Sequence, residues 1–298
     1  MISARKLDKL SLKGKESRRS AKNRLFQVLV ILLSFIATTP VVLIIYDLIR
    51  KGFRQINFSF FTKVAPDSWE AMTAISHGKL IPGGILNGIS GTFVMVSVAS
   101  IIAIPIGILI GIFLYENGGK RYANIVRDIS DILQGAPSIV LGIIAYIWVV
   151  KYITHGYSAL AGSASLAIMM LPLIIRSTEE TFKMIPVSIK EAGLALGVPY
   201  HKIILRVLIP TGFSGLSTGI LLALSRVIGE TAPLMITALG SPNVSFNLDK
   251  PASAVPLLIW QFYNDPNMVN LIWSSSLFLV TLVLALNLIS KQITAKRK

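Results

Sequence analysis

Long stretches of this chain carry almost no charge. Between Lys79 and Glu116 there is no Asp, Glu, Lys or Arg at all. A helix crossing the roughly 30 Å hydrocarbon core of a bilayer needs about 20 such residues. Six segments satisfy this: about 25–49, 88–115, 132–150, 157–175, 212–239 and 271–290. Spanning backbone has no water to bond, so each must be a helix, and the period-two pattern of a membrane barrel is absent. The expected fold class is therefore an all-α polytopic membrane protein with six transmembrane helices. The first span is longer than a signal-peptide core and no small-x-small cleavage site follows it, so it reads as a retained anchor.

Composition supports this and excludes the alternatives. Of 298 residues, 53% are hydrophobic and 14% charged, against about 25% charged in soluble domains. The apolar content excludes disorder. The absence of cysteine excludes a disulfide scaffold and a thiolate metal site. A net charge of +15 invites a nucleic-acid reading, but the basic residues gather in short segments between the spans, as they do on the cytoplasmic side of a membrane protein. With both termini inside, the inner segments hold 21 Lys and Arg, nine of them in the basic arm 1–24, and the outer loops hold 7. The arm reads as an orientation signal on anionic lipid, and residues 25–298 as the transmembrane domain.

Several kinds of chemistry are missing. No G-x-x-x-x-G-K-[ST] is present, so the chain does not cradle a nucleotide in that way. His77, His155 and His201 stand alone, without a second ligand at helical spacing; no metal site or bound cofactor is expected. Gly107/Gly111 and Gly215/Gly219 have the spacing of close helix contacts.

Two segments carry information about function. In the inner loop 186–210, Pro186 can start a helix with Ile189, Ala192, Gly193 and Leu196 on one face. Gly197 can end it in a left-handed conformation. Pro199 starts a second helix, with an apolar stripe at Tyr200, Ile203, Ile204, Val207 and Leu208. Two short amphipathic helices with a glycine corner can dock in a groove of another protein or lie flat on the membrane; the residues leave both open. In the fifth span, Arg226 and Glu230 are spaced i, i+4 and are costly at membrane depth. They are expected to share a helical face and pair, either as packing alone or with Arg226 lining an anion path, where its planar donors suit an oxyanion. Pro233 allows a kink or local opening one turn on.

These residues resemble known patterns. Glu191-Ala192-Gly193, three residues, Gly197, nine residues, then Val207-x-Ile209-Pro210 resembles the EAA loop of ABC importer permeases, departing from it at Gly193, Val207 and Ile209. Arg226-Val-Ile-Gly-Glu-Thr-Ala-Pro-Leu234, Gly135-Ala-Pro-Ser-Ile-Val140 and Arg176-Ser-Thr-Glu-Glu180 resemble the phosphate-specific (Pst) permeases, more the PstA-type than the PstC-type subunit. The resemblance covers about residues 88–291. It implies the type I importer permease fold and phosphate import across a prokaryotic cytoplasmic membrane, without catalysis by this chain. The implied partners are an ATPase dimer, which binds ATP, a second permease subunit of PstC type and an external phosphate-binding protein. By the same resemblance Arg226, Glu230 and Arg176 line the substrate path. Glu191, Ala192, Gly193 and Gly197 form the ATPase-coupling elbow. Read without it, the residues also admit another oxyanion such as sulfate or molybdate, a secondary transporter or channel acting alone, or a membrane scaffold.

Overall fold

The structure, a computed structural model, describes residues 3–295. It is helical, with no strand among the described residues, and divides into two units, residues 1–51 and 52–298.

The first unit is one long helix, α1 (Ser3–Gly52). The arm expected over residues 1–24 is thus not separate from the first span: its backbone continues into it, and its side chains through residue 19 lie outside the described residues. Pro40 has no N–H to bond within this helix. Thr38 and Thr39 beside it turn their hydroxyls back to carbonyls four residues earlier, at 2.7 Å each.

The second unit begins with two short helices, α2 (Phe58–Thr62) and α3 (Ser68–Ser76), capped by Asn57 and Asp67. Then come α4 (Leu86–Glu116), α5 (Arg121–Gly135), α6 (Ser138–Ala145, continued by a π turn to Val150) and α7 (Ala159–Lys183). α8 (Val187–Ala195) and α9 (Tyr200–Ile203) follow; a π turn leads to α10 (Ile209–Thr211). α11 (Phe213–Ile228), α12 (Ala232–Thr237), α13 (Val255–Tyr263) and α14 (Val269–Ala295) complete the chain.

Four helical segments are individually long and apolar enough to cross a membrane: 22–52, 86–116, 159–183 and 266–289. Two bent pairs bring the total to six: 121–135 with 138–150, bent by 108°, and 200–211 with 213–228, bent by 73°. The first bend breaks the expected third span, and the second lies at Gly212, where the expected fifth span begins. Ala136 precedes Pro137 and is extended at φ −67°, ψ 138°, because proline disfavours the helical region for the residue before it. The fifth span stops at Ile228 instead of running to 239, and Pro233 starts α12 after the break. Proline belongs in a first turn, where its missing N–H costs nothing.

α7 is the central helix, with 67% of its apolar window buried against 28% for α4. Glycines set how closely its neighbours approach. A Cβ on Gly107 would lie 2.7 Å from Ile174 Cγ2, and one on Gly111 2.5 Å from Thr178 Cβ. α4 packs on α7 at van der Waals distance through these positions, the close contact their spacing suggested. Gly215 faces Thr181 and Gly219 faces Ser177, which sets an antiparallel register between α11 and α7. At one end of the bundle Phe60, Ile85, Leu258 and Phe262 close a core under α2 and α3. At the opposite end Phe182, Ile203, Leu208 and Leu216 close another under α8–α10, the elbow end.

Candidate functional site

Arg226 lies in the last turn of α11, and Gly229 caps the helix. Its positive charge is therefore carried at the negative end of the helix dipole. Glu230 falls beyond the helix end, so the two are not on one continuous face as their spacing suggested. They still pair: Arg226 Nε is 3.9 Å from Glu230 Oε1, with the side chains 40% and 20% exposed. That separation is too long for a strong hydrogen bond, so the guanidinium is only loosely paired. Carrying the α11–α7 register seven residues past Gly219 and Ser177 places Arg226 level with Met170, half-way along α7. The charge thus stands at mid-depth of the bundle.

Arg176 is elsewhere. On α7 it lies about 9 Å nearer the elbow end than Met170, and it does not join Arg226. Two carboxylates hold it: Nη1 is 2.9 Å from Asp131 Oδ1, and Nε is 3.3 Å from Glu180 Oε1. Beside it is an ion cluster that sequence reasoning missed. Glu179, buried at 6% side-chain exposure, accepts from Arg127 Nη2 at 2.6 Å and pairs with Lys183 Nζ at 2.6 Å. Arg127 Nη1 also donates to Asn124 Oδ1 at 2.7 Å. The i+4 spacing of Glu179 and Lys183 was readable in the sequence; the partner on α5 was not.

The elbow has the turn expected of it. α8 ends at Leu196, and Gly197 adopts φ +70°. A Cβ there would touch nothing within 4 Å, so the glycine is required by its backbone angle and not by space. The apolar stripes are placed differently. Ile189 packs inward, and Gly193 faces Ile203, whose Cδ1 would be 3.1 Å from an added Cβ. Ala192 and Leu196, expected on that face, are exposed, as is Glu191. The second stripe is no free docking face: Ile203 and Leu208 are fully buried in this chain's own bundle, with Ile204 and Val207 packed against them. The exposed apolar residues of the elbow include Leu196 at the corner, 82% exposed, with Val187, Leu194 and Leu205. A partly buried contact anchors the elbow. Lys190 Nζ is 2.6 Å from Glu116 Oε2 and stands over the rings of Tyr115 and Tyr200, at 5.6 and 5.1 Å. It ties α8 to the end of α4, and no motif signalled it. Among the described residues no three His, Asp or Glu side chains gather as metal ligands.

Comparison with known proteins bears on this arrangement. The family described as binding-protein-dependent transport system inner membrane component matches residues 103–295. The phosphate transport system permease protein PstA of Yersinia pestis is 35% identical over 291 residues, covering 97% of this chain and 95% of that protein. The chain belongs to the PstA family of transport-system permeases. The PstA of Haemophilus influenzae is 35% identical over 83% of this chain and 85% of its own length. PstA 1 of Mycobacterium tuberculosis H37Rv is 30% identical over 93% and 88%. The fold matches that of a solved structure, the MetNI methionine ABC transporter in an inward-facing conformation, with a TM-score of 0.56 and 20% identity over 71% of this chain and 93% of that one. In this PstA-family chain the matched family region contains Arg176, Glu191–Gly197, Arg226 and Glu230. It begins inside α4, so α1–α3 lie before it.

Proposed function

We propose that this chain is the non-catalytic membrane subunit of an ATP-driven importer that carries inorganic phosphate across a prokaryotic cytoplasmic membrane. The observation that carries the reading is a lightly paired arginine at mid-depth, at a helix break, in a chain whose relatives are phosphate transport permeases. The threefold excess of basic residues in the inner segments supports cytoplasmic termini. An external phosphate-binding protein delivers the anion to a cavity between this chain and a second, PstC-type permease. An ATPase dimer closes on ATP and pushes the corner at Glu191–Gly197. Arg226 supplies the counter-charge that a phosphate needs in a low-dielectric path, and Glu230 takes back the guanidinium when the anion leaves. Binding must be weak enough for release, which suits one arginine at 3.9 Å from a carboxylate better than a basic cluster. Arg176, held by Asp131 and Glu180, receives the anion nearer the elbow end.

The test is reconstitution. Vesicles holding this chain, the second permease and the ATPase, with binding protein outside, accumulate radiolabelled phosphate only with ATP inside, and excess sulfate or molybdate does not compete. Accumulation driven by an ion gradient through this chain alone overturns the reading.

A further inference from the structure

A groove of about 560 Å³ runs between α4, α11 and α14. Phe93, Val96, Leu224, Ile228, Phe278 and Leu282 form its walls. Two of its three hydroxyl side chains bond to backbone: Ser100 Oγ donates to the Val96 carbonyl at 2.6 Å, and Thr92 Oγ1 accepts from the Val255 N–H at 3.0 Å. The walls therefore offer contact without demanding hydrogen bonds, and a site of this kind favours hydrocarbon over water.

Its dimensions decide what can fill it. On α4 the groove extends from Ile89 to Ile101, about 18 Å of helix, slightly more than one leaflet's share of a roughly 30 Å core. Spread over that length, the volume gives a cross-section of about 30 Å². A helix at least about 10 Å wide needs about 80 Å². The body of a whole helix does not fit inside it, and a single polymethylene chain does.

The end away from the elbow is built to receive a head group. The Phe61 ring lies 5.8 Å from that of Phe278, which is about 13 Å along α14 from Val269. This brings α2 down to hydrocarbon depth, with Phe58 beside it 85% exposed. Lys63 directly follows α2, and its carbonyl accepts from the Leu86 N–H at 3.0 Å. Lys63 is exposed, and its backbone lies about one turn above Ile89, the start of the groove, within reach of its side chain. We propose that the groove holds one acyl chain of a membrane phospholipid, with Lys63 paired to the lipid phosphodiester. The bound chain braces α11 through Leu224 and Ile228, the residues two on either side of Arg226. The proposal does not depend on which solute the protein carries.

The test is native mass spectrometry of the whole transporter, extracted from phosphatidylglycerol-containing membranes and washed in detergent. The wild type retains one phospholipid for each copy of this chain. Ser97→Phe and, separately, Ser100→Phe push a ring into the groove and lower retention at least about tenfold, the factor that excluding two methylenes alone would cost; assembly is followed by the co-purified ATPase. Lys63→Glu leaves the groove intact and shifts the retained lipid from phosphatidylglycerol to phosphatidylethanolamine, a readout that survives if both filling variants fail to assemble. Equal retention in wild type and an assembled groove-filled variant, an unchanged lipid class in Lys63→Glu, a partner side chain seated in the groove, or detergent as an adventitious additive only would each overturn the proposal.

Discussion

Arg226 was visible in the sequence because it interrupts a run that otherwise lacks charge, and the cost of such a residue at depth makes it conspicuous. Its relation to Glu230 was only half legible. The i, i+4 rule presupposes a continuous helix, and α11 ends between them. Glu179 was hidden for a different reason: three neighbouring charges at the end of α7 look like a solvated turn until α5 brings Arg127 across. Substituting Arg226→Gln removes the donor pair while keeping a polar side chain of similar reach. Phosphate uptake by the assembled complex is expected to fall about a hundredfold or more, because charge-assisted bidentate contacts are lost together. Co-purification of the ATPase should be unchanged. Arg226→Lys restores the charge without the planar fork, so uptake should recover only in part. Glu179→Gln leaves Arg127 and Lys183 without their shared carboxylate. It should destabilise the protein by about 3 kcal/mol, read as a lower unfolding midpoint of the purified complex.

Among the elements, the elbow shows how far periodicity reaches. The turn was legible because Gly197 and the flanking prolines have one physical reading. The faces were not, because an apolar stripe does not say whether its partner is the same chain or another. Here the second helix spends most of its stripe on Phe182 and Leu216. Glu191→Lys reverses the charge at the corner without touching the buried side of α8. ATP hydrolysis should continue while uptake is lost; stimulation of the ATPase by loaded binding protein, measured beside uptake, checks this. At the other end, the Asp265 carboxyl is held below the usual carboxylate range because the Ser68 hydroxyl and the Asn267 N–H donate to it. A lowered folded-state pKa stabilises the fold above the unfolded carboxylate value, and that stability is lost as pH falls through the folded one. Melting curves from pH 7 to pH 3 should therefore show a decline below about pH 4 that Asp265→Asn removes.

For the whole molecule, hydropathy gave the class and the approximate place of each span, since the bilayer imposes length on every helix that crosses it. The two breaks escaped it, because a window of apolar residues reads the same whether the helix is straight or bent by 108°. Pro137 and Pro233 were on the page, yet a proline announces a break without giving its angle. Division of labour between chains sets the last expectation. With no nucleotide-binding loop in its sequence, this chain reconstituted alone should concentrate no phosphate at any ATP level, as flux measurements on such vesicles would show. The gap between α11 and α12 also changes how a stroke is delivered. A rigid rod shoved at one tip carries everything on it the same distance. Here α12 is wedged against α6, where a Cβ on Gly142 would lie 2.7 Å from Pro233 Cα, while α11 continues from the elbow. Were the elbow to swing as the proposed function requires, the arginine would travel while the outer fragment stayed, so the charge would slide past a stationary wall and the passage would be reshaped from within.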